Sequence, residues 1–205
     1  MKKVILFGLG LLAFAACNKE TPQGNVHLSG DIKGLSQGKL YVKKLQDTTL
    51  VTIDSIIFKG NSNFDTAFDL DSPEVIYLFL DRGKTNSIDN SLPVFAEPGD
   101  ITVNTSLKEF YRSAQVKGSK NHDLWKKFDS LNSKFTDMNL ELVTKRLQNE
   151  INFNQKTQDS IDEAYQKLLI RKYRYTANFA VTHSEYEIAP YLALAEIADI
   201  TIPYL

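Results

Sequence analysis

The chain has 205 residues, with 24 Lys and Arg against 25 Asp and Glu, for a formal charge of −1. That balance offers no electrostatic case for a nucleic-acid partner or for adsorption to an anionic surface. Apolar residues at 42% are ample for a packed core, and a single cysteine excludes both an internal disulfide and a Cys-x-x-Cys pair.

The chain opens with two positive charges, Lys2 and Lys3, and then thirteen apolar or glycine residues, Val4 to Ala16. As a helix that run spans about 20 Å, too short for a ~30 Å hydrocarbon core. A removable leader fits better than a permanent span. It ends Phe14-Ala15-Ala16-Cys17, small residues followed by the sole thiol, and turns polar at once with Asn18-Lys19-Glu20. This is the layout of a bacterial lipoprotein signal peptide over residues 1–16, with Cys17 as the lipid attachment site. Two or more acyl chains, at about 0.8 kcal/mol per buried CH₂, anchor stably. Asn18 is not the aspartate associated with inner-membrane retention, so an exported protein on the outer membrane is expected. Removing 16 of 205 residues leaves 189, and losing Lys2 and Lys3 moves the charge from −1 to −3. Lipidation also consumes the thiol, which leaves no cysteine for catalysis or metal binding.

Residues 17–25 read as a tether. From Val26 the period is two: Val26, Leu28 and Ile32 alternate with polar neighbours, as in a half-buried strand. Further strands are predicted over 40–45, 50–58 with a bulge near Asp54-Ser55, 64–70, 75–80, 92–96, 101–105 and 115–117. Val75 to Leu80 is an unbroken apolar run, which predicts cover on both faces. Glu97-Pro98-Gly99-Asp100 has the Pro and Gly that a type II turn demands. Residues 26–118 are therefore expected to form an antiparallel β-sandwich or barrel of seven or eight strands.

At Ser119, a sensible N-cap, the period changes. Leu124, Phe128, Leu131, Phe135, Met138 and Leu142 are spaced 4, 3, 4, 3, 4, a helical stripe. After a polar break at 149–157, Ile161, Tyr165, Leu168, Tyr175 and Phe179 give a second stripe. Ser160 and Glu163 stand at capping-box spacing for its start. Ser184 and Glu187 repeat that spacing before a short helix over 188–198. Residues 119–205 thus read as a helical hairpin with a third short helix, and the fold class as α+β.

The order Gly30-Asp31-Ile32-Lys33-Gly34-Leu35, Gly38-Lys39-Leu40-Tyr41-Val42, Asp54-Ser55, Phe95-Ala96-Glu97-Pro98-Gly99-Asp100-Ile101-Thr102-Val103 and Val116-Lys117-Gly118-Ser119 resembles a domain of unknown function. That domain stands at the N-terminus of thiol-disulfide oxidoreductase lipoproteins of Bacteroidota. The resemblance covers most of residues 26–198 and implies the β-rich and helical parts without the thioredoxin-like domain that carries the thiol pair. No redox residue carries over. The apolar ending Ile200 to Leu205 is expected either to pack on the helices or to mark a truncated reading frame.

Candidate sites are few. His27, His122 and His183 have no metal-ligand spacing and read as surface or cap-region residues. Asp69-Leu70-Asp71-Ser72 lacks the glycine and closing glutamate of a calcium loop. Nothing singles out two of the 25 acids as a carboxylate pair for glycoside hydrolysis. Arg171-Lys172-Tyr173-Arg174-Tyr175 would spread around a helix, with Tyr175 on the apolar stripe. Trp125 reads as core. The loop from Asp81 to Ser91 is where ligand contacts are expected. No catalytic, metal or cofactor residue is assigned. The expected function is a lipid-anchored, non-enzymatic binding or accessory module of the cell envelope. The alternatives are a truncated thiol-disulfide oxidoreductase lipoprotein and a surface glycan- or peptide-binding lipoprotein.

Overall fold

The computed structural model describes residues 23–81 and 90–197. They form eight strands and three helices: β1 Val26–Lys33, β2 Gln37–Gln46, β3 Thr49–Lys59, β4 Asn63–Phe68, β5 Glu74–Asp81, β6 Ser91–Ala96, β7 Gly99–Ser106, β8 Gln115–Lys117, α1 Lys120–Ile151, α2 Gln155–Thr182 and α3 Ile188–Glu196. The strands make two four-stranded sheets, ordered β4-β1-β7-β8 and β3-β2-β5-β6. The α+β expectation holds: two packed sheets followed by three helices.

Alternation explains the sandwich core. Val26, Leu28 and Ile32 of β1, Leu40 and Val42 of β2, Ile76, Leu78 and Leu80 of β5, and Ile101 and Val103 of β7 are all buried and meet between the sheets. Fully burying each such side chain is worth about 1.5–3 kcal/mol.

One pairing departs from the antiparallel expectation, since β1 and β7 run parallel, Val26 opposite Gly99 through Lys33 opposite Ser106. The cause is the Glu97-Pro98-Gly99 turn. It joins strands of different sheets, so β7 enters beside β1 instead of folding back on β6. Gly99 has φ +128°, a conformation that favours glycine, and its N–H donates to Asn25 O at 2.9 Å. The expected bulge is present one residue earlier than predicted: Val42 faces Asp54 and Lys43 faces Thr52, so Ile53 is the extra residue.

Ser119 caps α1, its Oγ accepting His122 N–H at 2.9 Å. The other two caps differ from the expected boxes. Helix α2 starts at Gln155 and is capped by Asn154, whose Oδ1 accepts Thr157 N–H at 3.0 Å. Asn149 holds that cap in place, with Oδ1 accepting Asn154 N–H at 3.1 Å. Ser160 therefore lies inside the helix, and Glu163 pairs with Lys167. At α3 neither Ser184 nor Glu187 caps through its side chain. The Asn121 Oδ1 of α1 accepts Ile188 N–H instead, at 2.9 Å.

The helices dock on the outside of the β3-β2-β5-β6 sheet. Val75 and Phe95 form a second apolar cluster with Leu124, Phe128, Phe179, Ile188 and Leu192. Only the Val75 end of β5 is covered this way; Tyr77 and Phe79 stay half-exposed, so the expectation of two covered faces holds over part of the strand. The α1 stripe behaves alike. Leu124 and Phe128 are buried, whereas Leu131 and Met138 are exposed, because the farther turns meet α2 and not the sheet.

Candidate site on the outer face of the second sheet

Register places one row of side chains on the outside of the β3-β2-β5-β6 sheet. On β2 the row is Lys39, Tyr41, Lys43 and Leu45. Lys39 faces Asp81, Tyr41 faces Phe79 and Lys43 faces Tyr77 on β5. Val75 and Tyr77 in turn face Phe95 and Pro93 on β6. The intervening Leu40, Val42, Ile76 and Leu78 point into the core, so this outward row follows from the period of two.

The row is graded along its length. At one end Val75 and Phe95 lie beneath the helices. At the other, Lys39 Nζ sits 4.5 Å from the Tyr41 ring centroid, and Lys43 Nζ sits 5.4 Å from Tyr41 and 4.6 Å from Phe79. An ammonium over a ring face is attracted by the ring quadrupole, by about 0.5–1 kcal/mol at an exposed site. Lys43 thus leans toward Phe79 and Tyr41. Between the two ends the sheet and α3 enclose a cleft of about 310 Å³, with Val75, Tyr77 and Phe95 as its floor. Tyr191 and Glu187 overhang it, and Leu45, Pro73 and Glu74 close the side.

The cleft has a rigid back wall. Trp125 packs edge-on against both Phe95 and Tyr191, with centroids 6.4 and 5.9 Å away, and Phe95 meets Tyr191 at 5.8 Å. Trp125 is therefore in a packed aromatic cluster, as expected. The electrostatics on this side are negative. Glu74 pairs with Lys44 at 3.2 Å and Glu196 with Lys172 at 2.8 Å, whereas Glu187 has no ion pair among the described residues. Burial raises the Tyr191 hydroxyl pKa, and Tyr77, Glu196 and Asp129 raise it further.

The three histidines separate. His27 lies on the outer face of the other sheet between two carboxylates, Nε2 to Asp65 at 2.6 Å and Nδ1 to Asp100 at 3.2 Å. These hydrogen bonds raise its pKa. The carboxylates sit at opposite ring nitrogens, so they do not converge with the imidazole on one metal position. His122 stands in the capped first turn of α1, in keeping with the cap-region alternative and not the surface one: it is 3% exposed, and its Nδ1 accepts Phe95 N–H at 3.3 Å. Burial lowers its pKa to about 4, assisted by Lys126. His183 ends α2 and stacks on Phe179 at 4.3 Å.

The remaining candidates resolve into structural contacts. Asn25 binds the Asp69–Leu70 segment through Asp69 Oδ1, Leu70 N–H and Leu70 O, so that stretch is tied by an amide. Tyr175 stacks on Phe128 at 5.1 Å and Tyr173 is buried, which divides the basic-aromatic run as its helical spacing implies. Among the described residues no group of three His, Cys, Asp or Glu could hold a metal, and no helix is long and apolar enough to cross a membrane. Cys17, residues 82–89 of the predicted ligand loop and the chain end from 198 lie outside the described residues. The β2–β5 face was missed in sequence because its aromatics alternate with core residues and read as core themselves.

Comparison with known families gives one match. Residues 26–125 match the family model of DUF4369, a domain of unknown function. The match spans all eight strands and the start of α1, with Asn121, His122 and Trp125 inside it, and leaves out α2 and α3. No curated protein and no solved structure matches the chain.

Proposed function

We propose that this is a lipid-anchored cell-envelope protein, held through Cys17, whose DUF4369 domain and helices act as a non-catalytic binding or accessory module. The leader supports export and acylation, and the Cys17 thiol would be spent on the anchor. The observation that carries the binding role is the outer face of the β3-β2-β5-β6 sheet. There Tyr41, Tyr77 and Phe79 stand half-exposed beside Lys39 and Lys43 and run into a walled cleft. Aromatic side chains gathered on a sheet face are what recognition surfaces are enriched in.

Metabolic labelling with palmitate tests the anchor: label is expected on the wild type and absent from Cys17→Ala, and label retained on the variant refutes it. Purified protein is expected to show no reduction of insulin disulfides; sustained turnover would refute the non-catalytic reading. An array of glycans and peptides tests the face, with binding expected to fall on changing Tyr41 and Phe79 together to Ala.

A second reading makes the domain the accessory part of a thiol-disulfide oxidoreductase lipoprotein. The order of motifs from Gly30 to Ser119 favours it, together with the match over 26–125. Reading the DNA past the Leu205 codon tests it: an in-frame Cys-x-x-Cys domain supports this reading, and a stop codon removes it.

A further inference from the structure

We infer that the cleft between Tyr77 and Tyr191 is a receptor for an arginine side chain of a partner polypeptide, with Glu187 as its counter-charge. The inference goes beyond the proposed function by naming a ligand class, and it does not depend on the anchor.

The argument starts from an asymmetry along one row of side chains. Tyr41 and Phe79 already carry the protein's own ammonium groups, from Lys39 and Lys43. Tyr77 is the next outward residue of β5 and is directly opposite Lys43, yet no described cation lies over its ring. Its ring lines the cleft instead. The same cleft holds Glu187, which lacks an ion pair among the described residues; its described hydrogen bond comes from the Asn121 amide at 3.2 Å. The floor and the Tyr191 ring are apolar and aromatic, and the neighbouring Glu74 brings a second carboxylate, shared with Lys44. An uncovered ring, a carboxylate without a cation and apolar walls together are complementary to a cation on an apolar stem.

Two features favour arginine. Its planar guanidinium can stack on a tyrosine face while donating two hydrogen bonds to one carboxylate, which the compact lysine ammonium cannot do. A volume of about 310 Å³ is at the small end of ligand sites, the scale of one long side chain and not of a large cofactor.

Trp125 is the only tryptophan and touches both Phe95 and Tyr191, so its fluorescence reports on the cleft. The purified protein is titrated with the peptide Ac-Gly-Arg-Gly-NH₂ and with its neutral citrulline counterpart. A saturable change is expected with the arginine peptide, and binding about tenfold or more weaker with citrulline. Glu187→Gln keeps an acceptor for Asn121 and removes the charge; it is expected to weaken arginine binding by about tenfold. Tyr77→Leu tests the ring independently, with a loss of about threefold or more, and guards against any folding defect at Glu187. His27→Gln, on the outer face of the other sheet, should leave this binding unchanged, which ties the signal to the cleft. Equal binding of the two peptides, no saturable change, or full binding by both Glu187→Gln and Tyr77→Leu overturns the inference.

Discussion

Asn121 Oδ1 accepts the backbone N–H of Ile188 at 2.9 Å, so the third helix is capped by a residue of the first. The same side chain donates through Nδ2 to Glu97 at 2.5 Å and to Glu187 at 3.2 Å. Glu97 also accepts Lys120 N–H at 2.6 Å and Asn121 N–H at 3.2 Å, so its carboxylate satisfies the first turn of α1. One buried amide thereby joins the β6–β7 turn, α1 and α3, and fixes the overhang of the cleft.

Asn121→Ala should therefore cost about 2–4 kcal/mol, because it leaves Ile188 N–H and one contact to Glu97 without partners in a buried place. Urea unfolding measures the loss. Hydrogen exchange should show α3 opening first, while the β1–β7 amides stay protected; uniform loss of protection would contradict the local role.

His122 makes stability depend on acid. Its pKa is lowered to about 4 in the folded protein, against 6.5 as the ordinary value. Between those values the unfolded chain takes up a proton that the folded chain refuses, so stability falls as pH drops from 6.5 toward 4. The loss is on the order of 3 kcal/mol. His122→Gln can still accept Phe95 N–H and does not titrate, so it should flatten the acid limb of a pH–stability curve; an unchanged limb would count against this assignment.

His27 acts with the opposite sign. Two carboxylates raise its pKa, so its contribution is complete below 6.5 and is lost as pH rises through the raised value. His27→Gln should lower stability more at acidic than at alkaline pH relative to wild type. With the ring 42% exposed, the effect is small and is best read by NMR titration of the imidazole.

Gly30 and Gly99 separate two reasons for glycine. A Cβ on Gly30 would lie 1.8 Å from Val103 O and 2.9 Å from the Phe64 ring, so Gly30→Ala must part β1 from β7. A cost of about 3 kcal/mol or more is expected. A Cβ on Gly99 meets nothing within 4 Å, and only its φ of +128° is unfavourable. Gly99→Ala should cost about 1–2 kcal/mol. Thermal melts of both decide; equal losses would show that the close approach is relieved by a small strand shift.

Reading order along the chain recovers whatever repeats locally. The alternation of Val26, Leu28 and Ile32 and the 4-3 spacing from Leu124 onward each specify a face, and Ser119 caps the turn that follows it directly. Such features depend on neighbours within a turn or a strand, and the residues themselves carry that information. The proposed leader and its Cys17 anchor rest on equally local features: charge, length and small residues. Tertiary structure alone decided the rest. The parallel β1–β7 pair brings together segments some seventy residues apart, and the Asn121 cap of α3 spans sixty-seven. It also decided that His122 is buried, that β5 is covered over part of one face, and that Tyr77 opens onto a cleft while Tyr41 does not. Pairing of distant segments depends on how whole sheets and helices fill space, and periodicity within a segment carries no record of its partner.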